Sequence, residues 1–285
     1  MNDVSKGRYW DKPWSLVDGC TPCSPGCDHC WSAAMMHRFH SFWVSRNHLP
    51  LIANGKFTGE IYTRPERLSI PLKRRKPTVY AVWNDLFHEA VPFQFQLDAW
   101  LAMEQSQQHT FLLLTKRPEQ MAYFFKALYR QPLDRSGIPV LDNLWPGITV
   151  CNQKEADEKI PVFLQVPGKK FLSIEPMLGA VDLQYPTFNG ADSIESLEGI
   201  DVVILGGETG PGARPMRPDW VRSVRDQCAV AGVPFFFKGW GDDFFMIRKV
   251  SKKNFGNIRT LDGRTHDDLP WNSSGLAQEK QEETL

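Results

Sequence analysis

Six short apolar runs, most of them followed by a stretch of helical character, constrain this chain more than any other feature. They are Thr78–Trp83 (TVYAVW), Thr110–Leu114 (TFLLL), Trp145–Val150 (WPGITV), Lys170–Ile174 (KFLSI), Asp201–Leu205 (DVVIL) and Pro234–Phe237 (PFFF). Helical stretches between them are Pro92–Gln107, Pro118–Tyr129, Gln153–Leu164 and Pro218–Ala231. Strands apolar throughout are covered on both faces, and alternation with helices marks a parallel sheet. The aromatic segment Tyr9–Val17 supplies a seventh strand. The expectation is an α/β fold, a complete or nearly complete parallel β/α barrel rather than a flat open sheet. A chain of 285 residues suffices for one such domain. It is expected over residues 1–272, with loop insertions at 49–76 and 184–199 and a polar tail, 273–285.

Parallel barrels carry their chemistry at the C-terminal strand ends. Here those ends bear Asn84, Asp85 and His88; Thr115, Lys116 and Arg117; Cys151 and Asn152; Glu175; Gly206, Gly207 and Glu208; and Lys238. One polar residue after a strand is ordinarily just the turn. Five strand ends with a charged group converge on one mouth.

The segment Gly19–Ser32 (GCTPCSPGCDHCWS) holds four of the six cysteines: Cys20, Cys23, Cys27 and Cys30. Cys23, Cys27 and Cys30 are spaced C-x3-C-x2-C, whereas Cys20, Cys27 and Cys30 are spaced C-x6-C-x2-C. Three thiolates on one loop can hold three irons of a [4Fe-4S] cluster and leave the fourth open to S-adenosyl-L-methionine. The competing reading is a structural zinc site, which usually draws on two cysteine pairs a dozen or more residues apart. After the loop, Trp31–His48 has helical character, giving strand, cysteine loop, helix.

Charge balance means that any contact with nucleic acid must come from a local patch. Lys plus Arg balance Asp plus Glu at 33 each, so no global field draws the chain to nucleic acid. A local basic cluster, Lys73–Lys76, lies in the excursion 49–76; it is either a solvated surface or a phosphate contact. No run of eighteen apolar residues and no signal peptide are found, so the expectation is a cytoplasmic protein, without a membrane span, whose thiols stay reduced.

Chemistry suggests roles for the strand ends. Asn84 and Asp85 can accept from the amino group of S-adenosylmethionine. Thr115, Lys116 or Glu175 can serve its carboxylate and ribose, and Trp31 can pack beside its adenine. The segment Gly206–Arg214 (GGETGPGAR) is glycine-rich but is no P-loop; it is either a tight turn or a close approach to the ligand, bringing Gly206, Gly207 and Glu208 with it. Asn152 is a further cofactor candidate. His88, Arg214 and Lys238 are candidates for the substrate, Arg214 for a phosphate or carboxylate.

The motifs GCTPCSPGCDHCWS, NDLFHEAVP, LLLTKRPEQM, FLSIEPMLGAVDL, ILGGETGPGARPM and PFFFKGWG resemble, in order, those of the phage and prophage three-cysteine-motif family. That family is similar to the radical S-adenosylmethionine superfamily and more distantly to spore photoproduct lyase. The resemblance runs from about Trp10 to Pro270 and implies that Cys20, Cys27 and Cys30 bind the cluster, with Cys23 as the alternative to Cys20. It departs at Trp31, where Tyr is usual, at Asn84, where Ser is usual, and at Cys151, where a carboxylate is common. Cys151 could donate hydrogen to a substrate radical, or be a small buried hydrophobe. Catalytic candidates are thus Cys151, Lys116 and Glu175.

The activity this resemblance implies is that of an isomerase or lyase. It would generate a 5′-deoxyadenosyl radical, draw electrons from an external donor and act on a modified thymine of phage DNA in the host cytoplasm. The base would have to leave the duplex, and Trp43, Phe57, Tyr62 and the Lys73–Lys76 cluster are candidates for holding the DNA. A small molecule or free nucleotide is the alternative substrate. A non-catalytic, metal-clipped module that binds nucleic acid or protein is the alternative class.

Overall fold

The computed structural model describes residues 4–39, 50–82, 84–130, 139–183, 197–243 and 259–272. Seven strands form one parallel sheet in sequential order: β1 (Lys12–Pro13), β2 (Val79–Val82), β3 (Thr110–Thr115), β4 (Leu144–Thr149), β5 (Phe171–Ile174), β6 (Val202–Gly206) and β7 (Phe235–Gly239). The helices α1 (Trp31–Arg38), α2 (Phe93–Glu104), α3 (Pro118–Arg130), α4 (Gln153–Phe163) and α5 (Pro218–Val230) lie between them in the chain. The α/β class and the seven strands follow the sequence expectation.

Complete closure does not. β1 and β7 are the two edges of the sheet and are not paired with each other, so the sheet is a curled half-barrel. The physical reason lies in β1. It has only two residues, both exposed, which ladder with Tyr80 and Ala81 of β2. Side chains span the gap instead. The Tyr9 ring lies edge-on to Phe236 of β7, 5.9 Å away, and Arg259 donates to Val4 O at one side and Phe237 O at the other.

The strands bury both faces, and successive side chains alternate between two cores. Tyr80, Leu113, Ile148, Leu172, Val203 and Phe235 face outward, packed with Ala99, Phe124, Ile160 and Val224 of the helices. Val79, Leu112, Trp145, Phe171, Ile204 and Phe236 face inward as one cluster drawn from six strands. Trp271 packs on this inner cluster, 5.0 Å from Trp145, and donates through Nε1 to Tyr9 O at 3.0 Å. Among the described residues this cluster fills the lower half-barrel, and the cavity opens above it, towards the C-terminal strand ends.

The excursion after α1 is more regular than expected. Asn54 and Gly55 both adopt positive φ, the turn an Asn-Gly pair favours. They join a small hairpin, Ile52–Ala53 with Lys56–Phe57. Tyr62–Thr63 pairs antiparallel with Val17–Asp18. The basic cluster Lys73–Lys76 directly precedes β2, so it lies at the N-terminal strand ends, opposite the mouth. Any phosphate contact made by this cluster would therefore lie away from the mouth. Trp43, the expected helix beyond Phe39, most of the insertion at 184–199 and the tail 273–285 lie outside the described residues. No described helix is long and apolar enough to cross a membrane.

Candidate active site

The cysteine loop is built by local hydrogen bonding. Ser24 accepts from Gly26 N at 3.1 Å and caps the short turn Pro25–Cys27, and Cys30 stands at the N-cap of α1. The loop roofs a cavity of about 540 Å³ whose walls are the upper inward-facing positions of the half-barrel. The alternation that sends Leu112 and Leu114 inward on β3 sends Lys116 inward just past its end. On β5 it sends Phe171, Ser173 and Glu175 inward, and on β7 Phe236 and Lys238.

All four loop cysteines reach this cavity, and a second, smaller space is lined by Cys20, Cys27 and Cys30 but not by Cys23. Among the described residues, no three His, Cys, Asp or Glu side chains form a group suited to one metal ion. What the loop presents is a donor set of free thiols, soft ligands suited to iron–sulfur chemistry. A hydrogen bond from Cys23 lowers the Cys27 thiol to about 5, burial opposing and Lys116 assisting. Burial, then Asp85, pushes Cys20 up to about 11. Burial alone would lower the Lys116 ammonium, but Cys27, Cys151, Cys30 and Cys23 raise it overall. Lys116 is thus a fixed cation facing the thiols. This donor set and its cation fit a thiolate-held cluster.

The residues after β2 hold the loop from behind. Asp85 Oδ1 accepts from Thr115 Oγ1 at 2.6 Å and from Phe87 N, and Oδ2 accepts from Arg117 at 2.7 Å. Arg117 also donates to Thr21 O at 2.8 Å and to Glu89. Ala90 N donates to His88 Nδ1, so His88 Nε2 carries the proton towards Thr21 Oγ1, 2.9 Å away. Burial, then Arg117, lowers the pKa of His88 and keeps it neutral. Asn84, at φ 59°, donates to Val17 O and accepts from Ser32 Oγ at 3.1 Å. Asn84, Asp85 and Thr115 line the cavity, yet these bonds are spent on positioning the loop and α1. His88 does not line the cavity.

A second clasp closes the other side. Arg214 donates to both oxygens of Glu208, at 2.9 and 2.5 Å, to Asp28 Oδ2 at 3.1 Å and to Pro25 O at 2.8 Å. His29 Nδ1 stands 3.0 Å from Glu208 Oε2. Arg214, expected to meet substrate, instead joins Glu208 to the cysteine loop. Gly206 ends β6, leaving open the space between Glu175 and Lys238. A Cβ on Gly207 would stand 2.2 Å from Trp240 O, so the glycine turn is packed on backbone.

Three further expected site residues, Gly206, Cys151 and Asn152, do not line the cavity. Cys151 is fully buried, with its sulfur 3.7 Å from Ser24 Oγ, and burial pushes its thiol up to about 11. Asn152 caps α4 by accepting from Glu155 N at 3.0 Å. The expected residues Trp31, Glu175, Gly207, Glu208 and Lys238 do line the cavity, and Glu175 pairs with Lys238. Of the aromatics expected to hold DNA, Phe57 reaches it and Tyr62 does not. The sequence reading missed Tyr9, Trp10, Thr149 and Ser173 as lining residues; period-two alternation along β4 and β5 is the signal that finds the last two.

No curated protein and no solved structure matches the chain. A family model described as "Protein of unknown function (DUF5131)" matches residues 4–270, nearly the whole chain, with the cysteine loop, both clasps and all seven strands inside the match. The chain belongs to the DUF5131 family.

Proposed function

We propose that this protein is a radical S-adenosylmethionine enzyme, an isomerase or lyase acting on a nucleobase of DNA. The observation that carries the reading is the roof of thiols over a cavity at the C-terminal end of a parallel half-barrel, with Lys116 facing the sulfurs. Cys20, Cys27 and Cys30 would hold the [4Fe-4S] cluster, because these three share a second space that Cys23 does not line. When bound, cluster and S-adenosylmethionine supply one-electron reduction and hydrogen abstraction.

The chain's own residues do the rest. Lys116 offsets the negative charge of the thiolates. Asp85 and Arg117, through Thr21, hold the loop at a fixed height, and Glu208 with Arg214 holds its other side. Trp31 and Phe57 give the upper cavity aromatic faces for stacking a base. Glu175 and Lys238 supply an acceptor and a donor deeper in.

A second reading, a free nucleotide or small molecule in place of DNA, is favoured by one observation. The basic cluster Lys73–Lys76 lies at the far end of the strands, and the cationic residues Lys6 and Arg8 are what line the cavity outside the strand ends. The test is 5′-deoxyadenosine formation by anaerobically reconstituted protein with S-adenosylmethionine and a reductant. Formation that rises with modified DNA supports the first reading, and formation that rises only with free nucleotides supports the second. An intact cluster that yields none under any condition sinks the radical reading.

A further inference from the structure

The lower part of the cavity holds polar capacity that none of the clasps uses. Ser173 is fully buried, it lines the cavity, and its Oγ has no hydrogen-bond partner among the described residues. A buried hydroxyl left without a partner is costly unless something else supplies one. One inward step towards the mouth, just past the end of the same strand, stands Glu175, paired with Lys238 of β7. Gly206, on the strand between them, contributes no side chain, so both groups remain open to the cavity. Of the neighbouring lining residues, Thr149, opposite Ser173 across the β4–β5 ladder, adds a second hydroxyl, while Leu112, Leu114 and Phe171 offer no polar side-chain atom.

We propose that Ser173, Glu175 and Lys238 form a subsite for a neutral amide edge, an N–H beside a C=O, as a pyrimidine ring presents. A carboxylate keeps free lone pairs and an ammonium keeps free N–H groups after they pair with each other. Glu175 therefore accepts from the ligand N–H, while Lys238 and the Ser173 hydroxyl donate to its carbonyl. A lone anion would meet Glu175 and a lone cation Lys238, each at a charge cost the neutral edge avoids. The ring body lies against Leu112, Leu114 and Phe171. This rests on reading the cavity as the substrate chamber, and it requires no particular radical step.

The test is binding of thymidine and 3-methylthymidine to the full chain, followed by ligand-observed NMR titration without added S-adenosylmethionine. Thymidine should bind, and the methyl that replaces the ring N–H should weaken binding at least about tenfold, because Glu175 loses its donor. Ser173→Ala should weaken thymidine binding several-fold and leave 3-methylthymidine comparatively less affected. Comparing the two nucleosides on the unaltered protein guards against a variant that fails to fold. Equal affinity for both, no thymidine binding, or displacement of thymidine by acetate or ethylammonium at lower concentration overturns the subsite. Discrimination against the methyl stands even if deoxyadenosine is never formed. Deoxyadenosine formation without discrimination overturns the subsite alone.

Discussion

The Cys151 sulfur lies directly against Gly26 of the cysteine loop: a Cβ built on Gly26 would stand 2.6 Å from it. The thiol two residues past β4 thus sets how deeply the loop sits. Gly26→Ala should destabilise the protein by about 1–3 kcal/mol, the usual cost of overpacking. Cys151→Ala clears the space, so the double variant should recover part of that loss. Urea denaturation of both single variants and the double gives the coupling. Additive losses would mean the two residues do not share the space.

Arg117 and Asp85 form a buried ion pair at 2.7 Å, with both side chains less than a tenth exposed. Removing one partner leaves the other charge buried and uncompensated, at about 3–5 kcal/mol. Arg117→Met should therefore cost that much and also release Thr21 O, loosening the loop. Denaturation should show the loss, and the loop thiols should alkylate faster in the native state. A loss below about 1 kcal/mol, the size of a surface pair, would contradict the assignment.

This pair shows what was legible in the sequence and what was not. Seven strands and their order follow from apolar runs such as TFLLL, because a strand buried on both faces must be apolar throughout. Asp85 and Lys116 could be placed at the mouth because they follow strands. That Asp85 is fully engaged could not be read, since Arg117 and Thr115 are about thirty residues away. Arg214 is harder still, its partner Asp28 lying 186 residues away. The half-open sheet was hidden because only Lys12 and Pro13 of the aromatic segment ladder with β2. Two features were there to be read. Lys73–Lys76 directly precede a strand and so lie at its N-terminal end, and Ser173 shares its face with Phe171 and Glu175.

The Glu208 clasp should weaken in acid. Its carboxyl is held below the ordinary 4.5; burial acts to raise it, but hydrogen bonds from Arg214, then His29, outweigh that. A carboxylate lowered on folding adds stability that is present above its unfolded value and is lost as pH falls through the folded one. The stability difference between the natural chain and Arg214→Met should therefore be full above pH 4.5 and shrink below it. Denaturation across that range checks this, and a difference independent of pH would show that Arg214 acts by packing alone.

Cys20 and Cys23 should differ in their effect on a bound cluster. Cys20 shares the small second space with Cys27 and Cys30, whereas Cys23 lines only the larger cavity and is exposed. Cys23 also donates the hydrogen bond that lowers Cys27, a role a neighbour of the ligands can play without being one. After anaerobic reconstitution, Cys20→Ala should lose most of the bound iron and sulfide and the visible absorption of a cluster. Cys23→Ala should keep both, with a changed reduction potential, because a hydrogen bond to a coordinating sulfur tunes the potential. The opposite outcome, iron kept without Cys20 and lost without Cys23, would move the third ligand to Cys23 and make the second space incidental. Loss in neither variant would mean that each thiol can replace the other, as two cysteines three residues apart on one loop allow.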